Sequence, residues 1–142
     1  MRYILDTNVF NRILDGNFSL NTLPDGSEFV ATPIQYEELK ATPDSNRLTD
    51  LLAIFQCIGP EIVNPSFSFD IPGAGFDEGA WSNNDLAKTI KTSLDCVNKK
   101  PNNWQDALIA GAAKKHGCTL VTADKTLAKV AEQHEISVLL IK

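Results

Sequence analysis

Apolar residues along the chain fall into two kinds of run. Residues 2–6 (RYILD), 28–32 (EFVAT), 118–122 (CTLVT) and 136–141 (ISVLLI) are short, nearly unbroken apolar stretches, and 61–64 offers a further short one. Strands of a parallel sheet covered on both faces read this way, whereas half-exposed strands alternate. Between them lie stretches with helical spacing. Residues 7–14 carry Val9, Ile13 and Leu14 and stop at Gly16. Thr32, Pro33 and Gln35 supply a cap, a first helical position and a capping box for a helix that carries Glu37 and Glu38 and ends before Pro43. Asp44 and Ser45 open a helix with Leu48, Leu51, Leu52 and Phe55 on one side. Further helices are predicted over 82–97, from Asn102 and Gln105 to about Gly117, and over 124–133. The stretch 65–79, rich in Gly, Pro and Phe, reads as an irregular loop, and 99–103 as a connector. Strands alternating with helices from end to end predict an α/β fold of three layers, α/β/α. Its central sheet is mainly parallel, with 4–5 strands, in a single domain over residues 1–142.

Composition narrows this picture. A chain of 142 residues that is 43% hydrophobic can bury one core and is too short for two ordinary domains. No apolar run approaches the ~20 residues of a membrane-spanning helix. An acid at position 6 comes too early for a secretory signal, so a soluble, cytoplasmic protein with no membrane partner is expected. Three cysteines, Cys57, Cys96 and Cys118, lie in or beside apolar stretches and are expected to be reduced, structural thiols. The net charge of −5 argues against a polyanionic partner, but its distribution is uneven. Residues 1–80 hold 4 Lys/Arg against 12 Asp/Glu, and residues 81–142 hold 9 against 6. The lysines at 88, 91, 99, 100, 114, 115, 125 and 129 either give one face a basic cast or are ordinary solvated helix positions. Charge alone decides nothing here.

The candidate chemistry is acidic. Ligands of an open parallel sheet bind beyond the carboxyl ends of its strands. Asp6 ends the first strand, and Asp124 follows CTLVT by two residues. Glu37 and Glu38 lie on the helix leaving EFVAT, and Asp106 lies near the start of the helix feeding CTLVT. All are expected at that rim. Taken singly, each has a plainer reading as a helix cap, a helix-dipole residue or a solvated position. Taken together, they repel by roughly 4 kcal/mol per pair at 4 Å in an effective dielectric of about 20. Either some stay protonated or a hard cation such as Mg²⁺ or Mn²⁺ holds them. Such a site suits hydrolysis of a phosphodiester. Asn8 and Thr122 are candidate supports through hydrogen bonds to the acids, or simply turn and cap residues. His116 and His134 are expected at the surface, and Trp81 and Trp104 in packing rather than stacked on bases.

The local sequences around the acids carry a resemblance. Ile4-Leu5-Asp6-Thr7-Asn8-Val9 resembles the strand–Asp–Thr–Asn opening of PIN domains. Thr32-Pro33-Ile34-Gln35-Tyr36-Glu37-Glu38-Leu39 resembles the second motif, which aligns Glu38 as the acid before leucine. Asp106-Ala107-Leu108-Ile109-Ala110 and Leu120-Val121-Thr122-Ala123-Asp124 resemble the third and fourth. Four motifs in the family's order over nearly the whole chain imply a PIN-like fold. At this length, the chain looks most like the VapC-type toxins of toxin–antitoxin pairs. The resemblance implies an endoribonuclease dependent on one or two Mg²⁺ or Mn²⁺ ions. Asp6, Glu38, Asp106 and Asp124 would be its metal-binding and catalytic residues, RNA its substrate, an antitoxin its partner and a homodimer its assembly. The stretch 65–79 is longer than in a minimal PIN domain, and Leu127 stands where the family often has an aromatic.

Other classes fit less well. A haloacid dehalogenase-type phosphotransferase needs a second Asp where Asn8 stands, and a response-regulator receiver needs paired early acids and a central phosphoryl-accepting Asp. An RNA-processing or DNA-cleaving PIN nuclease shares every motif. A non-catalytic interaction protein would use its acids only as caps and bind through Phe67, Phe69 and Phe76.

Overall fold

The computed structural model describes residues 1–63, 78–100 and 103–141, and over 78–85 the helix alone. The stretch 64–77, with the phenylalanines 67, 69 and 76, lies outside the described residues. Five strands are described: β1 (Arg2–Leu5), β2 (Glu28–Ala31), β3 (Glu61–Ile62), β4 (Thr119–Thr122) and β5 (Val138–Leu140). They pair in the order β3-β2-β1-β4-β5, every pair parallel. The helices are α1 (Thr7–Leu14), α2 (Pro33–Lys40), α3 (Ser45–Ile58), α4 (Glu78–Val97), α5 (Asn103–Lys115) and α6 (Lys125–Gln133).

Alternation along the strands sorts side chains to two cores. Ile4, Val30 and Leu120 face a cluster with Ile90, Leu94, Ile109, Leu127 and Val130 from α4, α5 and α6. Tyr3, Leu5, Ala31 and Val121 face the opposite cluster with Val9, Phe10, Leu39, Leu51 and Phe55 from α1, α2 and α3. The sheet is therefore covered on both faces, which is why its strands read as unbroken apolar runs. Each large side chain so buried contributes about 1.5–3 kcal/mol. In α5, every residue from Asp106 to Ala113 is buried. Small alanines on both sides let this helix sit between the sheet and α4.

Local signals explain most boundaries. Thr32 accepts from the Ile34 amide, and the buried Gln35 Oε1 accepts from the Thr32 amide at 2.7 Å. Gln35 Nε2 also donates to the Leu5 carbonyl at 3.1 Å, tying α2 to the end of β1. Asp44 caps α3 through the Asn46 and Arg47 amides, and Gly59 ends it in the left-handed region at φ 60°. Several expectations need correction. The last strand is short and lies at the sheet edge, with Leu139 and Leu140 exposed, because nothing pairs on its far side. Helix α4 begins at Glu78, inside the stretch read as loop. A 3₁₀ turn at Leu20–Thr22 was not foreseen. Cys57 and Cys96 are exposed and only Cys118 is buried, since their flanking apolar residues turn to the core while the thiols fall on outer helix faces. No helix among the described residues is long and apolar enough to cross a membrane.

Candidate functional site

The strand order reverses between β1 and β4, which makes their carboxyl ends a topological switch point. Asp6 follows β1 and Asp124 follows β4, so the two flank that point from either side. Asp6, Glu38, Asp106 and Asp124 together line one cleft of about 230 Å³ with Thr7, Asn8 and Asn11. The four acids thus converge from α1, α2, α5 and α6 at one rim.

Their bonding differs, and it separates the plainer readings from the chemical one. Asp6 stands at the start of α1, yet its carboxylate makes no capping hydrogen bond there. Its Oδ2 instead accepts from the buried Thr122 hydroxyl at 2.9 Å. The same Thr122 oxygen accepts from the Asp124 amide at 3.0 Å, so one hydroxyl joins the two turns. Asp124 is a true cap: its Oδ1 accepts from the Thr126 and Leu127 amides, and its Oδ2 lies 3.5 Å from Lys100 Nζ. Glu38 accepts from the Thr7 hydroxyl at 2.6 Å. Its neighbour Glu37 is exposed and lies 3.6 Å from Lys40 Nζ, so Glu38 alone of the pair lines the cleft. Asp106 projects from the first turn of α5 and is only 6% exposed.

Burial without an opposing charge disfavours the ionised acids. Desolvation pushes Asp106 up to about 8, with further repulsion from Asp6, Glu38 and Asp124 and partial relief from Lys100. Desolvation likewise raises Asp6 to about 6, against the lowering effect of the Thr122 and Thr7 hydrogen bonds. Glu38 is raised for the same first reason, with Thr7 opposing. At neutral pH the cleft therefore holds a proton on Asp106 or needs a cation in its place.

The donor set is all oxygen and anionic, which fits a hard divalent ion. The side chains are not, however, drawn together as they stand. Among the described residues, no three His, Cys, Asp or Glu side chains lie close enough to hold a metal ion. The hydrogen bonds account for this: Glu38 is held by Thr7, and Asp124 by α6 and Lys100. The charge and donor chemistry fit a divalent cation.

Of the supporting residues named from sequence, Thr122 contacts Asp6 and Asn8 lines the cleft. Thr7, Asn11 and Lys100 were missed. Asn11 sits three residues beyond Asn8, on the same face of α1, a spacing that identifies it once the helix is assigned. Thr7 and Lys100 depend on contacts across 31 and 24 residues of sequence, which no local pattern reports. His116 and His134 are half-buried at helix ends away from the cleft, and the Trp81 side chain lies outside the described residues.

Comparison with known proteins supports the same architecture. Residues 83–133, which include Asp106 and Asp124, match the PIN domain family. No curated protein matches the chain by sequence. Among solved structures, the chain is similar to one from the VapBC2 complex of Rickettsia felis bound to a promoter DNA fragment. That likeness has 19% identity, full coverage of both chains and a TM-score of 0.66. It is also similar to a chain of the toxin–antitoxin complex VapBC-5 of Mycobacterium tuberculosis, at 17% identity, 99% and 98% coverage and a TM-score of 0.57. A third likeness is to FitAcB of Neisseria gonorrhoeae, at 18% identity, 96% coverage of each chain and a TM-score of 0.55. The chain has a PIN-type fold, and the structures it resembles include those of VapBC complexes.

Proposed function

We propose, from the PIN-type fold and the acidic cleft together, that the chain is a divalent-metal-dependent endoribonuclease acting as the toxin of a toxin–antitoxin pair. The observation that carries this reading is the convergence of Asp6, Glu38, Asp106 and Asp124 on one cleft at the switch point of the sheet. These four side chains would hold one or two Mg²⁺ or Mn²⁺ ions. When bound, such ions offset phosphate charge, lower the pKa of an attacking water and stabilise the leaving oxygen. Thr122 orients Asp6, and Thr7 holds Glu38 at the cleft. Asp106, whose carboxyl burial and neighbouring acids keep protonated, would have to lose that proton to hold an ion. A water oxygen forms a new P–O bond as the P–O bond to the departing strand breaks, a proton passes from the water to the departing oxygen by way of solvent, and no side chain is covalently modified.

Two further features belong to the same reading. The VapBC and FitAcB structures support an antitoxin partner, and an apolar groove of about 450 Å³ between α1 and α3, lined by Ile13, Leu20, Phe29, Ile54 and Ile58, suits an apolar partner segment. The same reading includes a homodimer and a single cytoplasmic nuclease domain, for which the likeness to the VapBC structures is the support.

Induced expression of wild type and Asp6→Asn, with RNA integrity read on a gel, tests the reading. Wild type should degrade RNA and arrest growth while Asp6→Asn does neither. Equal behaviour of the two forms would overturn it.

A further inference from the structure

A second polar hollow adjoins the acidic cleft. It measures about 490 Å³ and shares Asn8, Asn11 and Asp124 with the cleft, then extends along α1 to Arg12, Asp15 and Asn17. Asn8, Asn11, Arg12 and Asp15 recur at three- and four-residue intervals and so share one face of α1. The track continues past Arg12 and Ala123 into a hollow bordered by Lys125 and Leu140 beside β5.

Arg47 of α3 sets the chemistry of this face. Its Nε and Nη2 donate to Asn11 Oδ1 at 3.1 and 2.8 Å, and its Nη1 and Nη2 donate to the two Asp15 oxygens at 3.0 and 3.1 Å. A guanidinium has no acceptor, so the amide oxygen of Asn11 must be the atom that faces it. The Asn11 NH₂ group is thereby left for the hollow. Asp15 is already matched by a fork of two hydrogen bonds and does not need Arg12. Among the described residues, the half-buried Arg12 side chain forms no hydrogen bond and no ion pair within 4.0 Å, and it attracts Asp15 only at longer range.

Beside the acids there are therefore an amide donor and a guanidinium that no acid engages at close range, since Asp15 is paired by Arg47 and feels Arg12 only at longer range. These two donors match the oxygens of a phosphate. Asn11 lines both the acidic cleft and the hollow, whereas Arg12, four residues or about 6 Å along α1 from Asn8, lines the hollow and not the cleft. That offset separates Arg12 from the acids, with Asn11 between the two.

We infer that Asn11 and Arg12, held in place by Arg47, bind the phosphate next to the one cleaved, so that the RNA strand runs from the acidic cleft along α1 toward β5. The inference rests on the nuclease reading, since the strand's direction is measured from the acids. Arg47 is a positioning residue, and Arg12 the contact.

The experiment measures binding of a short fluorescent single-stranded RNA by anisotropy across a monovalent salt series, in the Asp6→Asn protein so that the strand stays uncut. Adding Arg12→Ala should weaken binding about tenfold and reduce the slope of log affinity against log salt by about 0.7, one phosphate contact on a single strand. Arg12→Lys should retain the slope, and Asn11→Ala should weaken binding with the slope unchanged. Because the Arg12 side chain makes no hydrogen bond or close ion pair among the described residues and only a longer-range attraction to Asp15, its variants should melt close to the parent. An unchanged slope and affinity for Arg12→Ala would overturn the inference, as would loss of binding only to an acidic peptide. If the Asp6→Asn parent still cuts the RNA, the nuclease reading of the acids fails while the slope still decides the groove. If the parent binds no RNA, both readings fall.

Discussion

Replacing Asp106 by Asn tests whether the cleft stores electrostatic cost. The carboxyl is 6% exposed and raised from 3.8 to about 8. Below the unfolded value, both states hold the proton and the group contributes nothing to the pH dependence. Between 3.8 and about 8 the unfolded chain releases a proton that the native state keeps, so stability falls as pH rises. At about 1.4 kcal/mol per pH unit, the loss reaches a ceiling of about 4 kcal/mol near neutrality but stays below about 2 kcal/mol near pH 5. An asparagine has the same shape and no charge. Its poorly paired amide costs about 1–3 kcal/mol whatever the pH. The variant should therefore be near-neutral or slightly destabilised at about pH 5 and more stable than wild type at about pH 7. The swing between the two conditions should be about 2–3 kcal/mol, the difference of the two losses. Urea unfolding in the presence of EDTA at both pH values reads this directly. In thermal melts the swing corresponds to roughly 3–4 °C per kcal/mol for a chain of this size. A stability difference between variant and wild type that does not change with pH would refute the electrostatic account.

Other substitutions probe the scaffold. Thr122→Val keeps the volume but removes the hydroxyl shared by Asp6 and the Asp124 amide, and should cost about 1–3 kcal/mol in urea unfolding. Gln35→Leu should cost at least about 2 kcal/mol, because it strands the Thr32 amide and the Leu5 carbonyl in the interior. Leu120→Ala, at a fully buried position in the central sheet, should cost about 2–5 kcal/mol without altering the pH dependence set by the acids.

The sheet and its covering helices were legible because burial on both faces leaves a direct mark, an unbroken apolar run. The capping box at Thr32 and Gln35 was legible for a similar reason: its contacts span three residues. What escaped the sequence depends on neighbours. An apolar run cannot say whether its strand is central or at an edge, so ISVLLI read as buried while Leu139 and Leu140 face outward. The polar run at residues 82–85 reads as a cap and places the start of α4 at Ser82, whereas the helix begins four residues earlier, at Glu78. For the acids, the rim position followed from the strand ends, but the division of labour did not. Asp6 and Asp124 look alike in sequence, each before a helix. Only the three-dimensional arrangement separates Asp6, whose carboxylate turns to Thr122, from Asp124, which caps α6 with one oxygen. Glu37 and Glu38 were separable from sequence only by a motif, and the helix turns just one of them into the cleft.

Titration of Mn²⁺ into the metal-free protein by calorimetry, near neutral pH and in buffers of different ionisation enthalpy, bears most directly on the acidic cleft. The account predicts binding with heat that varies from buffer to buffer in wild type, because the entering cation displaces the Asp106 proton, and loss of that variation in Asp106→Asn. Absence of binding, or heat that is the same in every buffer, would contradict it.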